Sequence, residues 1–153
     1  MVIKLSPYCD RIQVAGSIRR RRPFPRDIDI VCIPSNQGQF ITALRALGPF
    51  KIGGAAIIRV AMPTGVELDV YIAEAKTWAT LLLIRTGSAG HNIRLCSKAK
   101  QLRMKLHADG SGLFQLNAPG SDGEEVRIAG DTEQSIFAAL GLPYIQPEQR
   151  EVR

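Results

Sequence analysis

Two carboxylates inside a β-branched run constrain this chain most: Asp27-Ile28-Asp29-Ile30-Val31-Cys32-Ile33. Side chains alternate across a strand, so period two aims Asp27 and Asp29 at one face and sends Ile28 and Ile30 into a core. Acids paired on one face repel unless a positive charge joins them, and hard carboxylate oxygens suit Mg²⁺. Upstream lies Gly16-Ser17, followed by Ile18-Arg19-Arg20-Arg21-Arg22-Pro23-Phe24-Pro25-Arg26. A glycine turn lets backbone amides approach a phosphate closely, and Arg20 stands between that turn and the acidic strand, where it can contact one. For Arg21, Arg22 and Arg26 a solvated basic loop is an equally good reading.

A third acid comes from a later strand. Residues 57–62 and 66–72 read as strands joined by Pro63-Thr64-Gly65, a tight hairpin signal. In the second of them Val66, Leu68, Val70 and Ile72 share one face, and Glu67, Asp69 and Tyr71 share the other. Asp69 would then join Asp27 and Asp29 as a three-carboxylate cluster on neighbouring strands of one mixed sheet. Two divalent ions held about 3.5–4 Å apart by such a cluster stabilise both the attacking and the leaving oxygen of a displacement at phosphorus.

The rest of the chain supplies elements around that sheet. Residues 5–11 read as the end of a helix begun at Ser6-Pro7, and residues 12–15 as a short strand. After Pro34, Ser35 or Asn36 can cap a helix whose buried stripe is Phe40, Leu44 and Leu47, ended by Gly48-Pro49. From Lys76 the period becomes helical through Trp78, Leu81, Leu82 and Arg85 to Gly87. A second helix at 91–104 would bury Leu95, Ala99 and Leu102 and expose Lys98, Arg103 and Lys105. A hairpin follows at 105–115 around Asp109-Gly110, then a turn-rich stretch at 117–130 with a short strand at 125–128. Asp131-Thr132-Glu133-Gln134 has the form of a capping box, opening a helix that ends at Gly141. The charged, proline-containing tail at 144–153 is expected to lie over the surface. The pattern shifts near Glu74, from a sheet-bearing half to a helix-rich half.

Composition narrows the partners. A net charge of +6 with basic residues clustered at 19–26 and 94–105 suits a polyanion such as nucleic acid. Three cysteines, Cys9, Cys32 and Cys96, form no CxxC pair, so neither a disulfide framework nor a zinc site is indicated. His91 and His107 have no acid or cysteine at ligand spacing and are read as structural or surface residues. The most apolar run, residues 79–84, is far short of the ~20 residues that span a bilayer, and the N-terminus lacks a secretory apolar region. A soluble, monomeric protein is expected, cytoplasmic or otherwise intracellular, not secreted and without a membrane partner.

These motifs resemble the family X DNA polymerases, whose palm carries Gly-Ser, then Asp-x-Asp, then a third Asp, as Gly16-Ser17, Asp27-Ile28-Asp29 and Asp69 do here. The second half is similar as well: Thr86-Gly87-Ser88, His91-Asn92-Ile93-Arg94, Gly112-Leu113-Phe114, and Thr132-Glu133 leading to Leu140-Gly141-Leu142-Pro143-Tyr144-Ile145. The resemblance covers nearly the whole chain. It implies an α+β fold, with a nucleotidyltransferase palm at 1–74 holding a mixed sheet and flanking helices, and a helix-rich thumb with a β-hairpin at 75–153. Asp27 and Asp29 would bind both metals, Mg²⁺ or Mn²⁺. Asp69 would bind the catalytic one and help activate the primer 3′ hydroxyl. Gly16, Ser17 and Arg20 would meet the triphosphate, and Gly87, Ser88 and Asn92 the incoming nucleotide. Arg94, Lys98, Arg103 and Lys105 would grip DNA. The implied partners are a DNA primer-template and nucleoside triphosphates.

Departures from the family pattern matter equally. The Tyr-Phe pair that precedes Thr-Gly-Ser in the family and helps reject ribonucleotides is Ile84-Arg85 here, so relaxed sugar selection is expected. A gap-free register from Thr86 places Cys96 where the vertebrate repair enzyme has a template-contacting arginine. The resemblance to the palm begins almost at Met1, so lyase activity is not expected and extension should be distributive. Two rivals stay open: transfer to a non-nucleic-acid acceptor, and a non-catalytic DNA-binding accessory.

Overall fold

Two strands buried along much of their length, β2 (Asp27–Pro34) and β5 (Glu67–Ile72), form the spine of the first half of the chain. The computed structural model describes residues 1–117 and 123–151 and divides into two compact units, Met1–Ala75 and Lys76–Arg153. In the first unit β1 (Cys9–Val14), β3 (Phe50–Gly53) and β4 (Ile57–Ala61) complete a five-stranded sheet in the order β1-β2-β5-β4-β3. The β2–β5 pair is parallel and the other three pairs are antiparallel, so the sheet is mixed.

Period two sorts the two faces of this sheet. Ile30, Cys32, Leu68 and Val70 point to one side with Ile58 and Val60 of β4, where Leu5, Phe40 and Leu44 cover them. Leu5 comes from α1 (Val2–Leu5), and Phe40 and Leu44 from α3 (Gln37–Arg45), which Asn36 caps by accepting the Gln39 amide at 3.0 Å. Each such buried side chain contributes about 1.5–3 kcal/mol relative to exposure. The opposite face carries Asp27, Asp29, Glu67, Asp69 and Tyr71.

Local signals misplace two elements of this unit. The helix expected at 5–11 ends at Leu5, a 3₁₀ turn occupies Ser6–Tyr8, and the chain is already a strand from Cys9. Pairing of Cys9 with Pro34 at the end of β2 extends the backbone there, and tertiary pairing outweighs a weak helical preference. The edge strand β3 was not foreseen, because only its pairing with β4 makes a strand of a short, mostly exposed run beside Gly53-Gly54.

The second unit is built on α4 (Trp78–Thr86), α5 (Ala89–Gln101) and α6 (Glu133–Ala139), with an antiparallel sheet of β6 (Met104–His107), β7 (Gly112–Leu116) and β8 (Glu125–Ala129). Leu83, Leu95, Leu106, Leu113, Ile136 and Phe137 meet in its core. Gly87 ends α4 at φ +67°, where a side chain would be strained. Of the turn-rich 117–130 stretch, residues 118–122 lie outside the described residues, and β8 occupies the place of the expected strand.

Three expectations need correction in this unit. Helix α5 begins earlier than expected because Ser88 caps it, accepting the His91 amide at 3.3 Å. It also stops at Gln101, so Leu102 is part exposed and not core. The capping box on α6 closes through Ser135 and not an acid: Thr132 Oγ1 accepts the Ser135 amide at 3.0 Å, and Ser135 Oγ accepts the Thr132 amide at 3.4 Å. Glu133 turns inward, because the tail does not lie on the surface throughout. Arg150 is fully buried, its Nη1 donating to Glu133 Oε1 at 3.1 Å and its Nε to the Ile145 carbonyl at 2.9 Å, beside the Phe137 and Tyr144 rings. Among the described residues no helix is long and apolar enough to cross a membrane.

Candidate active site

Strand register decides which acids meet. In the parallel pair, Asp29 lies beside Asp69 and Asp27 beside Glu67, so four carboxylates share one face of β2 and β5. Asp27 is exposed, Asp29 half-buried, and Asp69 only 4% exposed. Burial, then the charges of Asp27 and Asp69, push the Asp29 carboxyl up to about 6, and the Tyr71 hydroxyl and Arg20 offset only part of this. Tyr71 donates to Asp29 Oδ1 at 3.4 Å. Negative charge is therefore held at Asp29 against its preference, a condition that favours a cation.

Gly16 is fitted to that carboxylate. Its φ is +56°, and a Cβ built on it would stand 1.9 Å from Asp29 Oδ2, so only glycine fits this position. The flanking chain is tied down as well, since the Ala15 amide donates to the Asp29 carbonyl at 2.8 Å. What the sequence suggested as a bare Gly-Ser turn is one helical turn, α2 (Gly16–Arg19), with Ser17 and Arg20 half-buried.

Asp69 has a partner that the sequence reading missed. Arg59 on β4 faces it across the antiparallel pair and grips it with two hydrogen bonds, Nε to Oδ1 at 2.6 Å and Nη2 to Oδ2 at 2.7 Å. The two bonds and the charge of Asp69 raise the Arg59 pKa further above its ordinary value. Arg59 Nε also lies 3.5 Å from Glu67 Oε2, and Lys51 on β3 is ion-paired with Glu67. The signal was present: counting back from the Pro63-Thr64-Gly65 turn pairs Ala61 with Glu67, Val60 with Leu68 and Arg59 with Asp69. Among the described residues, no three His, Cys, Asp or Glu side chains converge as a ready cation cage. The donor set nonetheless fits a hard cation, being all carboxylate with charge in excess at Asp29.

The second unit places its own candidate residues around the start of α5. Ser88 Oγ donates to the Arg150 carbonyl at 2.7 Å, and Asn92 Nδ2 donates to the Ile84 carbonyl at 2.8 Å. Gly87 is buried, and Ile84 and Arg85 are half-buried in the last turn of α4. Burial first, and then the Arg150 charge, lower the His91 pKa to about 4, so this buried imidazole is neutral. Arg94 and Lys98 line a cavity of about 290 Å³ with His91, Leu95, Leu142 and Ile145. Arg103 and Lys105 are exposed, Arg103 at the turn after α5 and Lys105 on β6, where its ammonium lies 4.0 Å from Glu125. Cys96 is exposed on α5.

Known proteins resemble both halves. Residues 81–151 match the family described as DNA polymerase beta thumb. Over 87 residues the chain is 30% identical to DNA polymerase lambda of Rattus norvegicus, a stretch that makes up 56% of this chain and 15% of the rat protein. A ternary P/T complex of Leishmania infantum polymerase beta is similar with a TM-score of 0.80 and 24% identity, over 99% of this chain and 71% of that one. A ternary gap complex of Leishmania infantum polymerase beta gives 0.77 and 22%, over 99% of this chain and 65% of that one. The chain thus has the α+β fold of those polymerases, and residues 81–151 are similar to the polymerase beta thumb.

Proposed function

We propose that the chain is a nucleotidyltransferase of the family X type, extending a primer 3′ hydroxyl with a nucleoside triphosphate and releasing pyrophosphate. One observation carries this reading: the β2–β5 register sets Asp29 beside Asp69, with Asp27 next on the same face and Gly16 fitted against Asp29. Asp27, Asp29 and Asp69 are the residues that would hold two Mg²⁺ or Mn²⁺ ions, which when bound stabilise the charge on the attacking and leaving oxygens.

The remaining work falls to the chain's own residues. Asp69, fixed in one orientation by Arg59, accepts the proton of the primer hydroxyl. The Gly16 and Ser17 amides and the Arg20 guanidinium orient the triphosphate. Gly87, Ser88 and Asn92 meet the incoming nucleotide, and the Asn92 amide is steadied by the Ile84 carbonyl. With Ile84-Arg85 at the sugar-selection position, ribonucleotides are accepted beside deoxyribonucleotides. Arg94, Lys98, Arg103 and Lys105 hold DNA by charge, so extension is distributive and falls steeply with salt.

Primer extension by the wild type, Asp27→Ala, Asp29→Ala and Asp69→Ala tests this, with deoxy and ribo substrates in parallel. Loss of the general base alone lowers the rate by about 10²–10⁴-fold. Equal activity in all four proteins would sink the assignment. The Arg59–Asp69 pair favours a second reading, a non-catalytic DNA-binding accessory, because Asp69 is already neutralised. DNA binding without extension in Mg²⁺ or Mn²⁺ would select it.

A further inference from the structure

The loop between α2 and β2 presents an aromatic ring among arginines. Phe24 is 94% exposed, more than any other large hydrophobic residue described. Its φ is +58° and that of Arg21 is +57°, in a region that a bulky residue enters only when the surrounding chain holds it there. Two backbone hydrogen bonds hold the start of the loop, Arg21 N to Ile18 O and Arg22 N to Ser17 O, both at 2.9 Å. Pro23 and Pro25 restrict the backbone on either side of the ring. The ring is thus displayed on a stiff tip, and the chain then runs through exposed Arg26 directly into Asp27.

We propose that Phe24 is a stacking platform for an unpaired base of a nucleic-acid strand, with Arg21, Arg22 and Arg26 meeting the phosphates of that strand. The inference rests on the nucleotidyltransferase reading, which brings a strand to Asp27. An aromatic face in a cationic surface binds single strands with little sequence preference, because every base has a π-face. A stiff, exposed ring loses little conformational freedom on binding. Other occupants fit less well. A protein anchor needs apolar neighbours around it, whereas the neighbours of Phe24 in the chain are prolines and arginines. A membrane anchor needs several apolar side chains on one helix face, and this loop offers one ring.

Fluorescence anisotropy with a short labelled single-stranded oligonucleotide, and with an abasic strand of equal length, tests the proposal on the wild type, Phe24→Ala and Phe24→Trp. Phe24→Ala should bind the base-bearing strand about 5- to 150-fold more weakly, the range expected for one stacked base. The abasic strand should not distinguish Phe24→Ala from wild type. In Phe24→Trp the new indole should be quenched on binding, against a constant signal from buried Trp78. Equal affinity of wild type and Phe24→Ala for the base-bearing strand overturns the proposal, as does an equal loss on the abasic strand. So does Phe24-dependent binding to anionic vesicles with none to the oligonucleotide. If extension still depends on Asp27, Asp29 and Asp69 in any of these cases, the nucleotidyltransferase reading stands and only the stacking role fails.

Discussion

Asp29→Asn should raise the stability of the protein above pH 6 while abolishing extension. Burial and the charges of Asp27 and Asp69 lift the Asp29 carboxyl from 3.8 to about 6. Such a group binds its proton more readily in the folded state, so stability falls as pH rises through that window and is level above it. Each pH unit of separation is worth about 1.4 kcal/mol, which would make the ionised carboxylate cost about 3 kcal/mol if it were fully dry. Partial exposure and solvent screening reduce this to about 1–2 kcal/mol. Asparagine keeps the shape and an acceptor for the Tyr71 hydroxyl and deletes the charge. In metal-free buffer at pH 8 the variant should therefore melt about 2–8 °C above wild type. Near pH 4, where the wild-type carboxyl is protonated, the gap should close. Adding Mg²⁺ at pH 8 should raise the wild-type melting temperature by mass action and narrow the gap from the other side. Calorimetry from pH 4 to 8 reads all of this. A variant that melts at or below wild type at pH 8, or an advantage that persists unchanged at pH 4, would refute the claim that uncompensated negative charge is held at Asp29.

Three further substitutions probe the surrounding structure. Gly16→Ala forces a side chain into the left-handed region and 1.9 Å from Asp29 Oδ2, so a loss of at least about 1–2 kcal/mol by denaturant titration and near-complete loss of extension are expected. Arg59→Ala leaves Asp69 buried and without its fork; the variant should be less stable than wild type in chelator and regain more stability from Mg²⁺, and an unchanged Mg²⁺ response would show that Arg59 does not compete with a cation for Asp69. Arg150→Met takes the buried guanidinium away from the Glu133 carboxylate, which should cost about 3 kcal/mol by urea titration, and combining it with Glu133→Gln should restore most of that.

Local order was legible wherever short-range chemistry decided it. Asp27-Ile28-Asp29 reads as a strand because alternation is a property of the backbone, and Ile30 and Cys32 are buried as it implies. Asn36 caps α3 and Gly87 ends α4 for reasons contained in a few residues. The grip of Arg59 on Asp69 was legible too, through the hairpin count, although hydrophobic periodicity alone passes over a cation on the polar face. Elements without a local signal were not legible. Strand β3 exists through its pairing with β4, and the start of β1 is set by its pairing with Pro34.

By itself, then, the sequence determined the parts that carry a local signal: the strongly periodic strands and helices, and the three acids, glycine turn and basic loop on which the proposal of phosphate chemistry rests. Only the tertiary structure decided their relations. The Tyr71 hydroxyl reaches Asp29 across 42 residues, and Arg150 reaches Glu133 across 17. The raised Asp29 pKa is a consequence of burial that no local pattern contains. Periodicity is written in neighbouring residues, whereas register, burial and the meeting of charges arise when distant segments pack, and that packing sets the state of each carboxylate.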